Sequence, residues 1–363
     1  MKKYIITLIV IVLIIGIYSF NNKSKAPTNS QIIKIGAVLG LTGYAANDSL
    51  NVKRGLELAK EDLAKKGVIV DINYQDDKTD PKQTVSAIQY LLATYHPQAV
   101  IGPIWSFLEE AGGPVLASSK IISYAPADTS EFVSVKSPYL FRGAPLNALL
   151  VKPISKWLKD NNKTRVAIIV SNEGWGTSIQ MPFIQAAKDA GATIVVNEAI
   201  QTGSSDTTSI SIIMTKIKAT KADVILITGY DESITAIAKN REAMGINATI
   251  IAAGAVYPSL VSRGNISQNQ AKDAYFIVAK ISDDFVTKFK AKYGEHPGSY
   301  ADRAYDGLMI LVEAIEKNKG EDSDAVSKHL HDKTNYKGYG GTYNFNDNGD
   351  IAGGEWIIEP VTK

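Results

Sequence analysis

The chain has 363 residues, with 39 basic and 37 acidic side chains, four histidines and no cysteine. The absence of cysteine excludes disulfides, thiol catalysis and cysteine-ligated metal. The first thirty residues hold four lysines and no acid, which leaves 35 basic against 37 acidic residues in the rest. With no basic stripe, a nucleic-acid partner is not expected.

Residues 1–20 open on Met1-Lys2-Lys3 and continue as an uncharged apolar run over 5–17. A positive end, an apolar core and a polar exit make an export signal. A helix of a globular body would need a polar face, and this segment has none. Its length over 4–20 is near the short end for spanning a bilayer core of roughly 30 Å. Ser24-Lys25-Ala26 offers small residues for cleavage, but Pro27 follows and there is no cysteine to carry a lipid. The segment therefore reads as a signal peptide or, by preference, an uncleaved signal anchor that tethers the chain to a membrane. Residues 21–30 read as a flexible stalk. The paired lysines on the short side put the body outside the membrane.

The body alternates strands with amphipathic helices. The first run predicts strands at 32–39, 68–74, 99–101 and 121–124, with helices at 52–65, 80–95 and 107–116 between them. The second run predicts helices at 148–160, 178–190, 210–219 and 233–244, and strands at 165–170, 193–197, 222–228 and 249–253. Gly191 is the expected cap of the second of these helices. Such alternation means a mostly parallel sheet covered on both faces. Two runs, joined near 142–146, mean two lobes of one α/β type. The tail adds a strand-like run at 274–279 and helices at 283–293, 301–317 and 324–331. A strand at 341–345 follows, and Asn348-Gly349 in the turn signals a C-terminal β-hairpin closed by a return strand at 355–359.

In parallel α/β sheets ligands gather at the carboxyl ends of strands. After the first strand, Gly40-Leu41-Thr42-Gly43 permits a tight turn and leaves Tyr44 on a loop, without the spacing of a dinucleotide fingerprint. Tyr44 there either caps the sheet or faces a ligand. After the third strand, Trp105 packs or touches ligand. Ser106 either caps its helix or joins the free amides behind it to hold a carboxylate. After the fourth strand, Ala127 and Asp128 follow, Asp128 being a loop acid or the partner of a ligand cation. In the second lobe Trp175 stands between Gly174 and Gly176, where glycine flanks do not build a core, so it reads as an apolar wall. Tyr230 and Asp231 follow another strand, and Tyr257 the next.

The catalytic inventory is thin. His96 and His296 each precede proline, and His329 and His331 do not share a helix face. There is no H-E-x-x-H, no P-loop and no G-x-S-x-G elbow. Asp128 with Asp231 offers an acid pair for glycoside chemistry, but aromatics and hydroxyls at strand ends of two facing lobes describe a recognition cleft better. No cofactor and no metal are expected.

At these residues the chain resembles the branched-chain amino-acid (Leu/Ile/Val) type of periplasmic binding protein, the extracytoplasmic receptor of ABC importers. The matching stretches are Ile33-Lys34-Ile35-Gly36 with Leu41-Thr42-Gly43, Asp76-Asp77 with Asp80-Pro81, and Ile101-Gly102-Pro103 with Ser106. Ile122-Ser123 leading to 127–131, Arg142, Trp175-Gly176, residues 300–307 and Phe345-Asn346-Asp347-Asn348-Gly349-Asp350 complete the set, which covers roughly 31–360. The resemblance implies two Rossmann-like lobes with parallel-sheet cores, joined by three crossovers. Lobe 1 is expected over 31–145 plus about 278–335, and lobe 2 over 146–277 plus about 336–363.

It also implies a solute closed between the lobes, an amino acid or related compound, delivered to an ABC permease. Ser106 then matches the serine that grips the carboxylate. Asp128 stands where a threonine often helps hold the ammonium, Trp175 where a tyrosine covers the ligand, and Tyr230 or Asp231 where a second tyrosine follows. The acid that often completes the ammonium site is missing, since Ala255 and Val256 occupy that region. Either Asp128 or Asp231 replaces it, or the ligand has no α-ammonium. The link between 279 and 283 is also shorter than the family's usual one. A ligand-sensing module of a membrane signalling system and an enzyme acting on a small solute are the alternative readings.

Overall fold

A computed structural model describes residues 32–130, 136–201, 207–253, 260–319 and 322–362. The expected signal segment and stalk lie outside the described residues, and so does Tyr257. Among the described residues no helix is long and apolar enough to cross a membrane.

The first sheet holds β1 (Ile33–Leu39), β2 (Val70–Asp76), β3 (Ala99–Ile101), β4 (Ile122–Ala125) and β5 (Leu140–Arg142), in the order β2-β1-β3-β4-β5. All its pairs are parallel. The second sheet holds β6 (Arg165–Ser171), β7 (Thr193–Ile200), β8 (Val224–Thr228), β9 (Thr249–Ala253), β10 (Ala274–Ala279) and β13 (Trp356–Pro360), in the order β13-β10-β9-β8-β6-β7. Only β13 runs antiparallel, against β10. β8 and β9 are buried along their whole length. That is what a strand covered on both faces requires, and it is why they read as unbroken apolar runs rather than alternating ones.

Helices cover both faces. In the first lobe α1 (Ala46–Lys65) lies on one side, with α2 (Pro81–Tyr90) and α3 (Ser106–Ser118) on the other. In the second lobe α4 (Val151–Asp160) and α5 (Gly174–Asp189) oppose α6 (Thr207–Thr220) and α7 (Asp231–Ala243). The chain then returns to the first lobe with α8 (Asp283–Tyr293), α9 (Ala301–Lys317) and α10 (Ser323–Asp332), whose Phe285, Phe289, Leu308, Leu311 and Leu330 join its core. α9 packs tightly on α1. A methyl on Gly55 would stand 2.0 Å from the Ala301 carbonyl oxygen, so only glycine permits that approach.

Two expectations about the tail need correction. The small antiparallel hairpin is formed by β11 (Tyr336–Gly338) and β12 (Gly341–Tyr343), not by 341–345 with 355–359. The turn at 346–350 does form, with Gly349 N–H donating to the Asn346 carbonyl at 2.8 Å. It closes only an isolated bridge, Phe345 with Ile351. The apolar return strand instead pairs with the open edge of β10 in the other sheet. Residues 336–351 accordingly belong to the first lobe, not the second. Tyr343, Phe345 and Ile351 are in its core, and Asp306 of α9 accepts from the amides of Tyr339 and Gly340 and the hydroxyl of Tyr343. Three links thus cross between the lobes, at 143–146, 280–282 and 352–355.

Candidate functional site

The loop after β1 is shaped by the loop after β2. Thr42 donates from its amide and its hydroxyl to Asp76, the latter at 2.8 Å, and the Ala45 amide donates to Thr79 Oγ1 at 3.1 Å. Asp77 accepts from the Thr79 amide and the Thr84 hydroxyl, and Asp80 caps α2. The acid-rich stretch 76–80 is therefore scaffolding. Its effect is to hold Tyr44, 58% exposed, at the mouth of the interlobe cleft.

Behind the cleft floor lies a buried polar network. Ser106, at the start of α3, donates its hydroxyl to Asp128 Oδ1. Asp128 is fully buried, and it also accepts from the Ser130 amide at 3.1 Å and from Arg142 Nη1 at 3.4 Å. Arg142 pairs in addition with Asp350 and donates to the Ser130 carbonyl. Arg142 ends β5 just before the first crossover, and Asp350 precedes the third, so this network clamps two of the three links. Burial raises the Asp128 carboxyl, with Arg142, Ser106 and Ser130 opposing. Glu109, one turn along α3, is buried with Oε2 unpaired, and burial together with the nearby Asp128 pushes it up to about 8. The expectation that Asp128 stands ready for a ligand cation meets a physical objection: its charge is already matched by Arg142.

The second lobe contributes a second set of strand ends. Glu173 caps α5 by accepting from the amides of Trp175 and Gly176, and it takes the Ser171 hydroxyl at 2.7 Å. This cap fixes the turn that presents Trp175. A methyl on Gly176 would fall 2.1 Å from the Ser171 carbonyl oxygen, so the turn needs glycine there. Tyr230, at the end of β8, is buried, and burial with the adjacent Glu173 drives its hydroxyl well above the ordinary tyrosine range. Its ring meets Trp105 at 5.1 Å, Trp175 at 5.8 Å and Tyr44 at 6.3 Å between centroids. Two of these rings come from each lobe, and Tyr230 is the ring that the other three meet.

The structure thus brings together Tyr44, Trp105, Trp175 and Tyr230. It places Ser106, Ala127 and Asp128 in the buried layer behind them, and Asp231 at their side in an ion pair with Arg263. Sequence reasoning missed Asp48. It sits in the first turn of α1, a half-buried side chain within hydrogen-bonding reach of the Trp105 side chain. Burial, opposed by that contact, raises its carboxyl to about 7, with Asp231 adding to the rise and Arg263 reducing it. A groove of 590 Å³ opens beside it. Asn47 and Ser262, the chain neighbours of Asp48 and Arg263, line it together with Phe276, Val278 and Ile357. Among the described residues no cluster of His, Asp and Glu is arranged to hold a metal ion.

Known proteins share this fold. A sequence profile of the family described as "Periplasmic binding protein" matches residues 32–358. The Leu/Ile/Val-binding protein homolog 7 of Brucella suis biovar 1 (strain 1330) is 26% identical over 355 residues, covering 91% of this chain and 86% of its own. Among solved structures, a leucine-binding protein, LivK, from Thermotoga maritima superposes with a TM-score of 0.81 at 22% identity, over 92% of this chain and 96% of its own. The branched-chain amino acid transporter substrate-binding protein LivJ of Streptococcus pneumoniae, in complex with isoleucine, gives 0.77 at 22% identity, over 88% and 94%. These structures share the fold.

Proposed function

This chain belongs to the periplasmic binding protein family, and from that premise we propose that it captures a small solute between its lobes and delivers it to an ABC permease. The ligand is an amino acid or related compound, by analogy with relatives named for leucine, isoleucine and valine. One observation carries the reading: Tyr44 and Trp105 of one lobe meet Trp175 and Tyr230 of the other at the carboxyl ends of both sheets. That is where open α/β sheets bind ligands. Aromatic walls with a few polar groups are the common lining of small-molecule sites.

Family membership implies an extracytoplasmic location. In this proposal the apolar segment over 4–20 tethers the chain beside the permease, the lobes close about the three crossovers, and no bond of the solute is broken. Calorimetric titration of the full chain with leucine, isoleucine, valine and the remaining amino acids tests it. Saturable binding of one class at one site per chain is expected. Turnover of a bound solute to product would contradict the receptor reading.

A further inference from the structure

We propose that the cleft selects an organic ammonium ion with small apolar substituents, its charge held between the Asp48 carboxylate and the faces of Tyr44, Trp105 and Trp175. This rests on the solute-receptor reading above and narrows it to a ligand class.

Three observations lead there. The first is the aromatic wall. Cations are attracted to ring faces within roughly 6 Å of the centroid, and clustered tyrosine and tryptophan rings recognise alkylated ammonium groups in this way. Here four such rings converge, with Tyr44 exposed and Trp105 and Trp175 half-buried.

The second is the charge balance. The charged groups that face Asp48 are Asp231 and Arg263, and these two are ion-paired with each other. Tyr230 and Tyr300 face it as well, both with hydroxyls raised by burial and therefore neutral. Two carboxyls thus stand against one guanidinium. Even half-buried, a carboxylate without its own counter-charge is disfavoured, and a ligand cation would supply one.

The third is the state of the anion side. Ser106 gives its single proton to Asp128, and Glu109 lies behind. A ligand carboxylate finds no free serine hydroxyl there and faces two acids. What remains for it are the amides at the start of α3, where no side chain caps the helix, and the unpartnered hydroxyl of buried Thr129. A carboxylate on the ligand is therefore accommodated but not required.

The coupling to pH has a definite sign. Asp48 titrates near 7, so it is mostly neutral at pH 6 and mostly ionised at pH 8. A cation binds the ionised form. Affinity should therefore rise about tenfold from pH 6 to pH 8, following the ionised fraction, with proton release in the lower half of that range.

The test is a calorimetric titration of the full chain, at pH 6 and pH 8, with four probes. Isoamylamine and choline stay cationic throughout, isovalerate is the anion alone, and L-leucine carries both groups. Both amines should bind at least tenfold more tightly than isovalerate, with the stated rise toward pH 8. Asp48→Asn should lower amine affinity at least tenfold at pH 8 and flatten the pH profile, and Asp48→Glu should restore part of both. The ranking of probes and the wild-type pH profile need no variant, so misfolding of Asp48→Asn does not shield the idea. Amine affinity independent of pH, isovalerate matching L-leucine, or no amine binding would each overturn it. Binding of L-leucine without binding of either amine would leave the receptor reading standing and end this one.

Discussion

Arg142→Gln is the most demanding test of how the site is held. In the native protein Arg142 is nearly buried and answers two buried acids, Asp128 at 3.4 Å and Asp350. Glutamine removes the positive charge and keeps most of the bulk. Breaking a buried ion pair from one side costs about 3–5 kcal/mol, because the partner charge is left unmatched. At about 2.1 cal/mol/K per residue, the unfolding entropy of a body of roughly 330 residues is about 0.7 kcal/mol/K, so Tm should fall by about 4–7 °C.

The pH dependence then fixes the cause. Asp128 is already raised by burial, with Arg142 opposing. Without Arg142 it rises further, while the unfolded carboxyl stays near about 3.9. The folded variant then holds a proton that the unfolded chain has lost, so its stability falls as pH rises through that window. The deficit should be largest at pH 8 and should shrink toward pH 5. Thermal melts followed by circular dichroism at both values measure it, and adding Asp128→Asn to Arg142→Gln should recover part of the loss at pH 8. A variant within 1 °C of the parent, or a deficit unchanged between pH 8 and pH 5, would refute the network as drawn.

Two further predictions address the cleft and the core. Trp175→Ala should weaken solute binding about tenfold or more while lowering Tm only slightly, since the side chain is half-buried and packs on Tyr230 at the cleft. Calorimetry beside a thermal melt separates the two effects, and equal affinity for parent and variant would remove Trp175 from the site. Gly55→Ala should destabilise by about 1–3 kcal/mol, the usual cost of overpacking, because the added carbon meets backbone at Ala301 rather than a side chain that can turn aside. An unchanged urea midpoint would show that α1 and α9 can separate cheaply.

Much of this molecule is local in origin, and that part could be read. Alternating apolar runs and amphipathic stretches mark the strands and helices. Reading the residues just after each strand finds Tyr44, Trp105, Trp175 and Tyr230, because parallel topology alone sends those positions to one end of each sheet. The failures are non-local or uncapped. Asp48 is hidden in the sequence because α1 begins after Ala45, whose methyl cannot cap a helix, so no start signal marks the first turn. β5 is as short as β3 but ends on Arg142, so it lacks the unbroken apolar run that marks β3. Asp128 reads as available because its partner Arg142 is brought to it by a sheet pairing and Asp350 by a later crossover. The Asn-Gly turn forms where its residues predict it, but a turn does not choose the partner of the strand that follows. The free edge of β10 did that.

A solute held by the interlobe aromatic cluster should stay with the chain through purification. The most direct measurement is mass spectrometry of small molecules released on denaturing the purified full chain, for the parent and for Trp105→Ala with Tyr230→Ala. One solute species near one equivalent per chain is expected in the parent, lost in the double variant while the fold persists by circular dichroism. Retention of the same solute at the same stoichiometry by the folded double variant would contradict it.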